Sequence, residues 1–305
     1  MTAPLLVVGE SLVDVVTDPT GAKAEHVGGS PANVVMGLAR LGHPVTFATW
    51  LGRDERGRRI SAHLAEHGVE VLAGSYGDAP TSTAVARLDG FGAATYEFYL
   101  HWDLPSLAVP EGTGHVHTGS LGAVLAPGAS AVRSAIVAAR ERCTTSYDPN
   151  VRPGIMGDLA ALRAQVDDHV RRSDVVKASD DDVHALYAGL SPQQVMDRWV
   201  GLGAALAVVT LGGDGVVFRV ASEPEVHQAP TRAKQVVDTV GAGDSFMAGL
   251  LSGLVASGLL GDLAARHRLQ GATLGDVQPA VDRGLATSGV TVARAGAYAP
   301  RLDEL

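Results

Sequence analysis

The stretch Val236–Ser252, VVDTVGAGDSFMAGLLS, sets a short β-branched run, a Gly-Ala-Gly-Asp turn and a long apolar helix in that order. Gly241 and Gly243 carry no Cβ, so the backbone there can lie close against an anion. The helix that follows begins with amides that have no partner inside it, at the positive end of its dipole. Such a turn suits phosphoryl oxygens. Asp244 then puts a carboxylate at the helix start, where it would repel a phosphate that was merely held. It is well placed to take a proton from a hydroxyl attacking phosphorus. The stretch reads as the transfer site of a phosphotransferase.

Outward from this turn, apolar strand-like runs alternate with helical patterns. Strands are expected at Leu5–Val8, Thr46–Leu51, Val116–Gly119, Thr144–Asp148, Val175–Ala178, Ala207–Thr210 and Val216–Arg219. Helical stretches between them include Ala32–Leu41, Arg56–His67, Ala129–Arg142, Leu159–Arg171 and Ser191–Leu202. Strands without polar alternation, separated by helices, predict a mostly parallel sheet covered on both faces. Ligands of such folds collect at the carboxyl ends of the strands. Glu10–Asp14, Asp148–Arg152, Gly212–Gly215 and Gly241–Asp244 would converge there. Two stretches, Leu12–Val16 and Thr83–Leu100, alternate apolar and polar residues and carry Tyr96, Phe98 and Tyr99. They predict antiparallel strands of a small sheet outside the core, a lid that excludes water from the reaction. The expected division is a core of residues 1–12, 29–82 and 104–305 and a discontinuous β lid of residues 13–28 and 83–103.

Composition narrows the class. The chain has 305 residues, 46% of them apolar and 19% charged, as in a well-packed enzyme. A net charge of −9 leaves no basic stripe for nucleic acid. The single Cys143 rules out an intrachain disulfide and fits a reducing cytoplasm. Leu5–Val8 is too short for a signal-peptide core and is soon followed by Glu10 and Asp14. Ser245–Gly261 is uncharged and studded with Gly249, Gly253 and Ser257, yet falls short of the roughly 20 residues a spanning helix needs. It is expected to be a buried core helix, with no membrane partner.

Two signatures, GGSPANVVMGLARLG (Gly28–Gly42) and DTVGAGDSFMAG (Asp238–Gly249), resemble those of the ribokinase-like carbohydrate kinases, the PfkB family. SYDPNVRP (Ser146–Pro153) and VVTLGGDG (Val208–Gly215) match in order and spacing, so the resemblance runs from about Leu5 to Ala297. GESLVD, GGSPAN and DPNVRP together are most similar to bacterial fructokinases. The resemblance implies a three-layer α/β/α sandwich with a small β-sheet lid, and transfer of the ATP γ-phosphoryl group to a sugar hydroxyl with Mg2+. It makes Asp244 the base and the amides of Gly241, Ala242 and Gly243 the anion hole. Asp14, Gly28, Gly29 and Asn33 would hold sugar hydroxyls, and Asn150 and Arg152 would reach sugar or phosphates. Thr210, Gly212 and Gly215 would line the nucleotide. Ser179–Asp182 corresponds to the family's Asn-x-x-Glu motif, with Ser179 for the Asn; Asp182 would organise magnesium through water. Asp238 would belong to a K+ site beside the anion hole. A homodimer through the lid would cover the edges of a small sheet.

His63, Glu66 and His67 have the H-x-x-E-H spacing of a zinc protease class, but the charged helix and missing third ligand favour a solvated face. His115 and His117 read as packed strand residues, and Ser30 and Pro31 as the start of a helix. The acceptor stays open among fructose, 2-keto-3-deoxygluconate, ribose and a nucleoside. A nicotinamide dehydrogenase is disfavoured, because the first strand–helix turn lacks G-x-G-x-x-G. A non-catalytic sugar or nucleotide sensor would have no use for Asp244.

Overall fold

The computed structural model describes residues 3–17, 20–88 and 94–305. Nine strands form the main sheet, in the order His227–Ala229, Val216–Val220, Leu206–Thr210, Val175–Ser179, Thr144–Asp148, His115–Gly119, Leu5–Val8, Val45–Ala48 and Glu70–Val71. From Leu206–Thr210 to Glu70–Val71 all neighbours are parallel, and the two strands at the other edge run antiparallel. Successive residues of each inner strand go to opposite faces. Leu5 and Val7 join Leu206, Val208 and Phe218 in one apolar cluster with the helices Ser30–Arg40, Ala242–Ala256 and Leu274–Val292. On the other face, Leu6 and Val8 pack with Ala129–Arg140, and Val176, Ala178, Ala207 and Val209 with the helices Leu159–Val170 and Pro192–Leu202. Burial on both faces is why these strands read as unbroken apolar runs. Polar residues inside them are paired: His115 bonds Thr144 and Ser146 (2.9 and 2.8 Å), and His117 bonds Ser146 at 2.9 Å.

Ala242–Ala256 lies buried between two other helices. A Cβ on Gly253 would come 2.4 Å from the Ala280 Cα, and one on Gly249 would come 2.8 Å from the Gly284 Cα. The small residues thus let Leu274–Val292 approach closely. Among the described residues no helix is long and apolar enough to cross a membrane.

The second sheet has the order Lys23–Gly28, Leu12–Thr17, Thr83–Leu88 and Ala94–Tyr99. Its outer pairs are antiparallel, but Leu12–Thr17 and Thr83–Leu88 pair in parallel, unlike the antiparallel arrangement expected from their alternation. Both segments leave the core in the same direction, so the strands they feed run side by side. Val13 and Val15 turn into the core, while Leu12, Asp14 and Val16 face a cleft. Residues 18–19 and 89–93 of the expected lid, and the Tyr96 side chain, lie outside what is described.

Candidate active site

The parallel strands end at Val8, Gly119, Asp148, Ser179 and Thr210, all on one rim of the sheet. A cleft of ≈ 1280 Å³ opens there, lined by every residue given a catalytic, sugar, nucleotide or metal role above, from Asp14 and Gly28 to Gly215, Asp238 and Asp244. One end is closed by the small sheet, with Leu12, Asp14, Ala84, Ala86 and Phe98 facing inward. The other lies between Thr210–Gly215 and the residues Val240, Ser288 and Ala297. Gly241–Asp244 sits between the two.

Gly241 has φ +74°, a left-handed conformation that L side chains rarely adopt, and a Cβ there would lie 2.6 Å from the Ala297 Cβ. Of the three amides expected to form an anion hole, that of Ala242 already donates to the Thr239 carbonyl at 3.2 Å. The amides of Gly241, Gly243 and Asp244 have no backbone carbonyl partner among the described residues. Ala242 thus closes the turn, and the Asp244 amide stands unpartnered beside those of Gly241 and Gly243.

The Asp244 carboxylate is held from the helix Ser30–Arg40. Ser30 Oγ donates to Oδ1 at 2.6 Å and Asn33 Nδ2 donates to Oδ2 at 2.7 Å. Burial pushes the carboxyl above its usual range, while Ser30, Asn33, Lys177 and Arg152 pull the other way. Asn33 Oδ1 is buried without a partner and remains available to accept a hydrogen bond. Ser30 begins the helix, as expected, and in addition donates to the Asp244 carboxylate; Gly29 holds the cap position.

Gly28 and Gly29 are explained by their neighbours. A Cβ on Gly28 would lie 2.1 Å from Asp14 Oδ2, and Gly29 has φ +109° with Glu10 O only 2.8 Å from its Cβ position. Burial raises the Asp14 carboxyl, partly offset by His26 across the strand pair. Glu10 Oε2 accepts the Gly122 amide at 2.7 Å and ties two strand ends together. Asn150 and Ser120 both have positive φ, +37° and +53°, and Asn150 Nδ2 donates to Ser120 Oγ at 3.3 Å. Non-glycine residues in that region are uncommon and concentrate at functional sites. Arg152 is exposed at the cleft, its Nη1 bonded to the Val151 carbonyl at 3.0 Å.

Asp182 caps the helix Asp180–Leu186: Oδ2 accepts the Ser179 amide at 2.8 Å. Its Oδ1 accepts the Val151 amide at 2.6 Å, so this side chain fixes the turn that carries Asn150 and Arg152. Asp238 accepts the amides of Val240 (3.0 Å) and Gly296 (2.8 Å), which hold it below the usual carboxylate range. Thr210 ends its strand with Oγ1 3.4 Å from the Ala178 carbonyl. Gly212 and Gly215 have φ +55° and +91°, and a Cβ on Gly215 would lie 2.1 Å from the Ala229 carbonyl oxygen.

Sequence reasoning passed over Lys177. It lies inside a sheet strand, yet its side chain is 5% exposed and reaches the cleft. Its Nζ donates to Asp148 Oδ2 at 2.9 Å. Burial alone would lower the pKa of this ammonium, but Asp148 and Asp182 raise it and keep it charged. The signal was a lysine amid Val175, Val176 and Ala178, since a buried lysine requires a partner.

The family model for pfkB family carbohydrate kinases matches residues 4–304. The chain belongs to this family. The kinase is 33% identical over 280 residues to a fructokinase of Klebsiella pneumoniae, covering 87% of this chain and 89% of that one. Among solved structures it is similar to a Xylella fastidiosa fructokinase with bound ATP. The TM-score is 0.83 at 25% identity, covering 100% and 97% of the two chains. A Vibrio cholerae fructokinase variant with fructose, ADP and a potassium ion bound shares the fold: TM-score 0.82, 24% identity, 99% and 96% covered. The fold is ribokinase-like, and the protein is an ATP-dependent sugar kinase.

Proposed function

We propose that this kinase transfers the γ-phosphoryl group of ATP to a hydroxyl of fructose. The acceptor is supported by the similarity to the Klebsiella fructokinase across nearly the whole of both chains. The chemistry is carried by one observation. A carboxylate gripped by Ser30 and Asn33 stands in the first turn of a helix whose Gly243 and Asp244 amides have no backbone partner among the described residues.

In this reading the sugar lies on Gly28 and Gly29, with hydroxyls bound to Asp14 and to the free Oδ1 of Asn33. Asn150 and Arg152 close the site from the opposite strand ends. Asp244 takes the proton of the attacking hydroxyl as the new O–P bond forms and the bond to the ADP oxygen breaks. The amides of Gly241, Gly243 and Asp244 receive the charge on the transferred group. Thr210, Gly212 and Gly215 flank the nucleotide.

Magnesium is the proposed cofactor; when bound to the nucleotide it neutralises phosphate charge. Among the described residues no group of three His, Cys, Asp or Glu could hold a metal, and both Asp182 oxygens already accept amides. That donor set fits an ion carried by phosphates and water, with Asp182 reaching it through a water. Asp238, kept ionised by two amides, would supply the charge of a K+ site beside the anion turn.

Residues 13–28 and 83–103 would act as the lid, with 1–12, 29–82 and 104–305 as the core. Tyr99, on the face of the small sheet away from the cleft, stands 56% exposed, which supports a homodimer formed there. A protein with one buried thiol and ATP as donor fits the cytoplasm. The deciding experiment is magnesium-dependent ADP release with a panel of sugars and nucleosides, repeated with Asp244→Ala. Turnover with fructose, lost in the variant, supports the reading. Turnover confined to ribose, 2-keto-3-deoxygluconate or a nucleoside moves the acceptor, and ATP binding without turnover would favour a sensor.

A further inference from the structure

Lys177 has no part in the mechanism above, yet its surroundings suit a charged ligand better than a simple ion pair. The ammonium has three donors, and the hydrogen bond to Asp148 uses one. Asp148, itself 1% exposed, keeps its second oxygen without a partner. Acidic groups outnumber it here, since Asp182 and Asp244 also act on this lysine. A phosphoryl group arriving beside Asp244 meets like charge, and a nearby buried cation is what offsets that repulsion.

The turn itself gives the second, independent observation. Gly243 is not in the left-handed region, so its backbone does not demand glycine. Among the described residues, the only atom that a Cβ there would meet within 4 Å, beyond its chain neighbours and its own helix backbone, is Lys177 Nζ, at 3.0 Å. Glycine at this position leaves the space between the unpartnered amides and the ammonium open, and both border the same cleft.

We propose that Lys177 is a catalytic residue that contacts the transferred phosphoryl group, acting with the amides of the Gly241–Asp244 turn on its charge. The proposal rests on the kinase reading but not on the identity of the sugar, because its main readout needs no acceptor. The affinities of ADP and of the β,γ-imido analogue of ATP are compared in the wild type, Lys177→Met, Asp148→Asn and the double variant. Thermal unfolding of each confirms the fold. The double variant removes both members of the buried pair, so the Asp148 carboxylate is not left without its cation, and the test stays valid if Lys177→Met fails to fold.

Variants lacking the lysine should lose about tenfold or more in affinity for the imido analogue while ADP binding holds. Their kcat should fall about 100-fold or more, as for a lost charge-stabilising group. Asp148→Asn, which keeps the ammonium, should retain the preference for the triphosphate. A folded double variant whose kcat stays within about tenfold of the wild type would overturn the proposal and leave Lys177 as the partner of Asp148. Parallel loss of both nucleotides would overturn it equally.

Discussion

Gly28→Ala tests the sugar end of the site with a single methyl group. The added Cβ would lie 2.1 Å from Asp14 Oδ2, 3.1 Å from Asp14 Cγ and 3.3 Å from Leu12 Cδ1. Ordinary contact begins near 3.4 Å, so the carboxylate oxygen must retreat by about 1.3 Å. That exceeds the roughly 0.5 Å within which a binding group must be held. A hydrogen bond from a sugar hydroxyl to a carboxylate is worth about 1.5–3 kcal/mol. Losing one raises KM for fructose by roughly 10- to 150-fold. Gly28 is not in the left-handed region and the displaced group is the end of a side chain, so the melting temperature should change little. Steady-state ADP release, with fructose and ATP varied in turn, separates the two KM values. An unchanged KM for fructose in a normally folded variant, or an equal rise for ATP, would refute the assignment of Asp14 to the sugar.

Asp244→Asn should lower kcat about 100-fold or more with far less effect on ATP affinity measured by calorimetry, and a loss under about tenfold would remove it as the base. Burial raises the Asp244 carboxyl and the Ser30 hydrogen bond lowers it. Ser30→Ala should therefore raise it further and move the acid limb of the kcat–pH profile to higher pH; a limb that stays or moves down contradicts this. Gly241→Ala forces a side chain into φ +74° and against Ala297, so both kcat and melting temperature should drop, the backbone strain alone costing about 1–2 kcal/mol. Asp238→Ala should abolish any response of the rate to potassium, read by titrating KCl against a constant ionic strength.

How far the fold was legible follows from what each residue must satisfy. Runs such as Leu5–Val8 and Leu206–Thr210 show themselves because both their faces are buried. The rim followed from strand direction alone, which placed Asp14, Asn150, Gly212 and Asp244 on one cleft. The long helix Leu274–Val292 was missed, because Gly275, Pro279, Gly284 and Gly289 weaken its helical signal and Gly284 is there for packing. Lys23–Gly28 was folded into the lid without being recognised as a strand, since an exposed edge leaves weak alternation. Ser30 was invisible for another reason, since its role depends on a partner 214 residues away, and the apolar run around Lys177 signals a buried lysine without naming its partner 29 residues away. No local pattern carries such contacts.

The strand Lys23–Gly28 ends one residue before the helix that begins at Ser30. That helix supplies both side chains gripping the Asp244 carboxylate. Sheet and base are thus joined by a linkage one glycine long, and Gly29 is its pivot. A tilt of the small sheet would be delivered to Ser30 and, one turn later, to Asn33. In the proposed reading the cover and the trigger share a hinge, so the orientation of the carboxylate would report whether the cover is seated on its cargo.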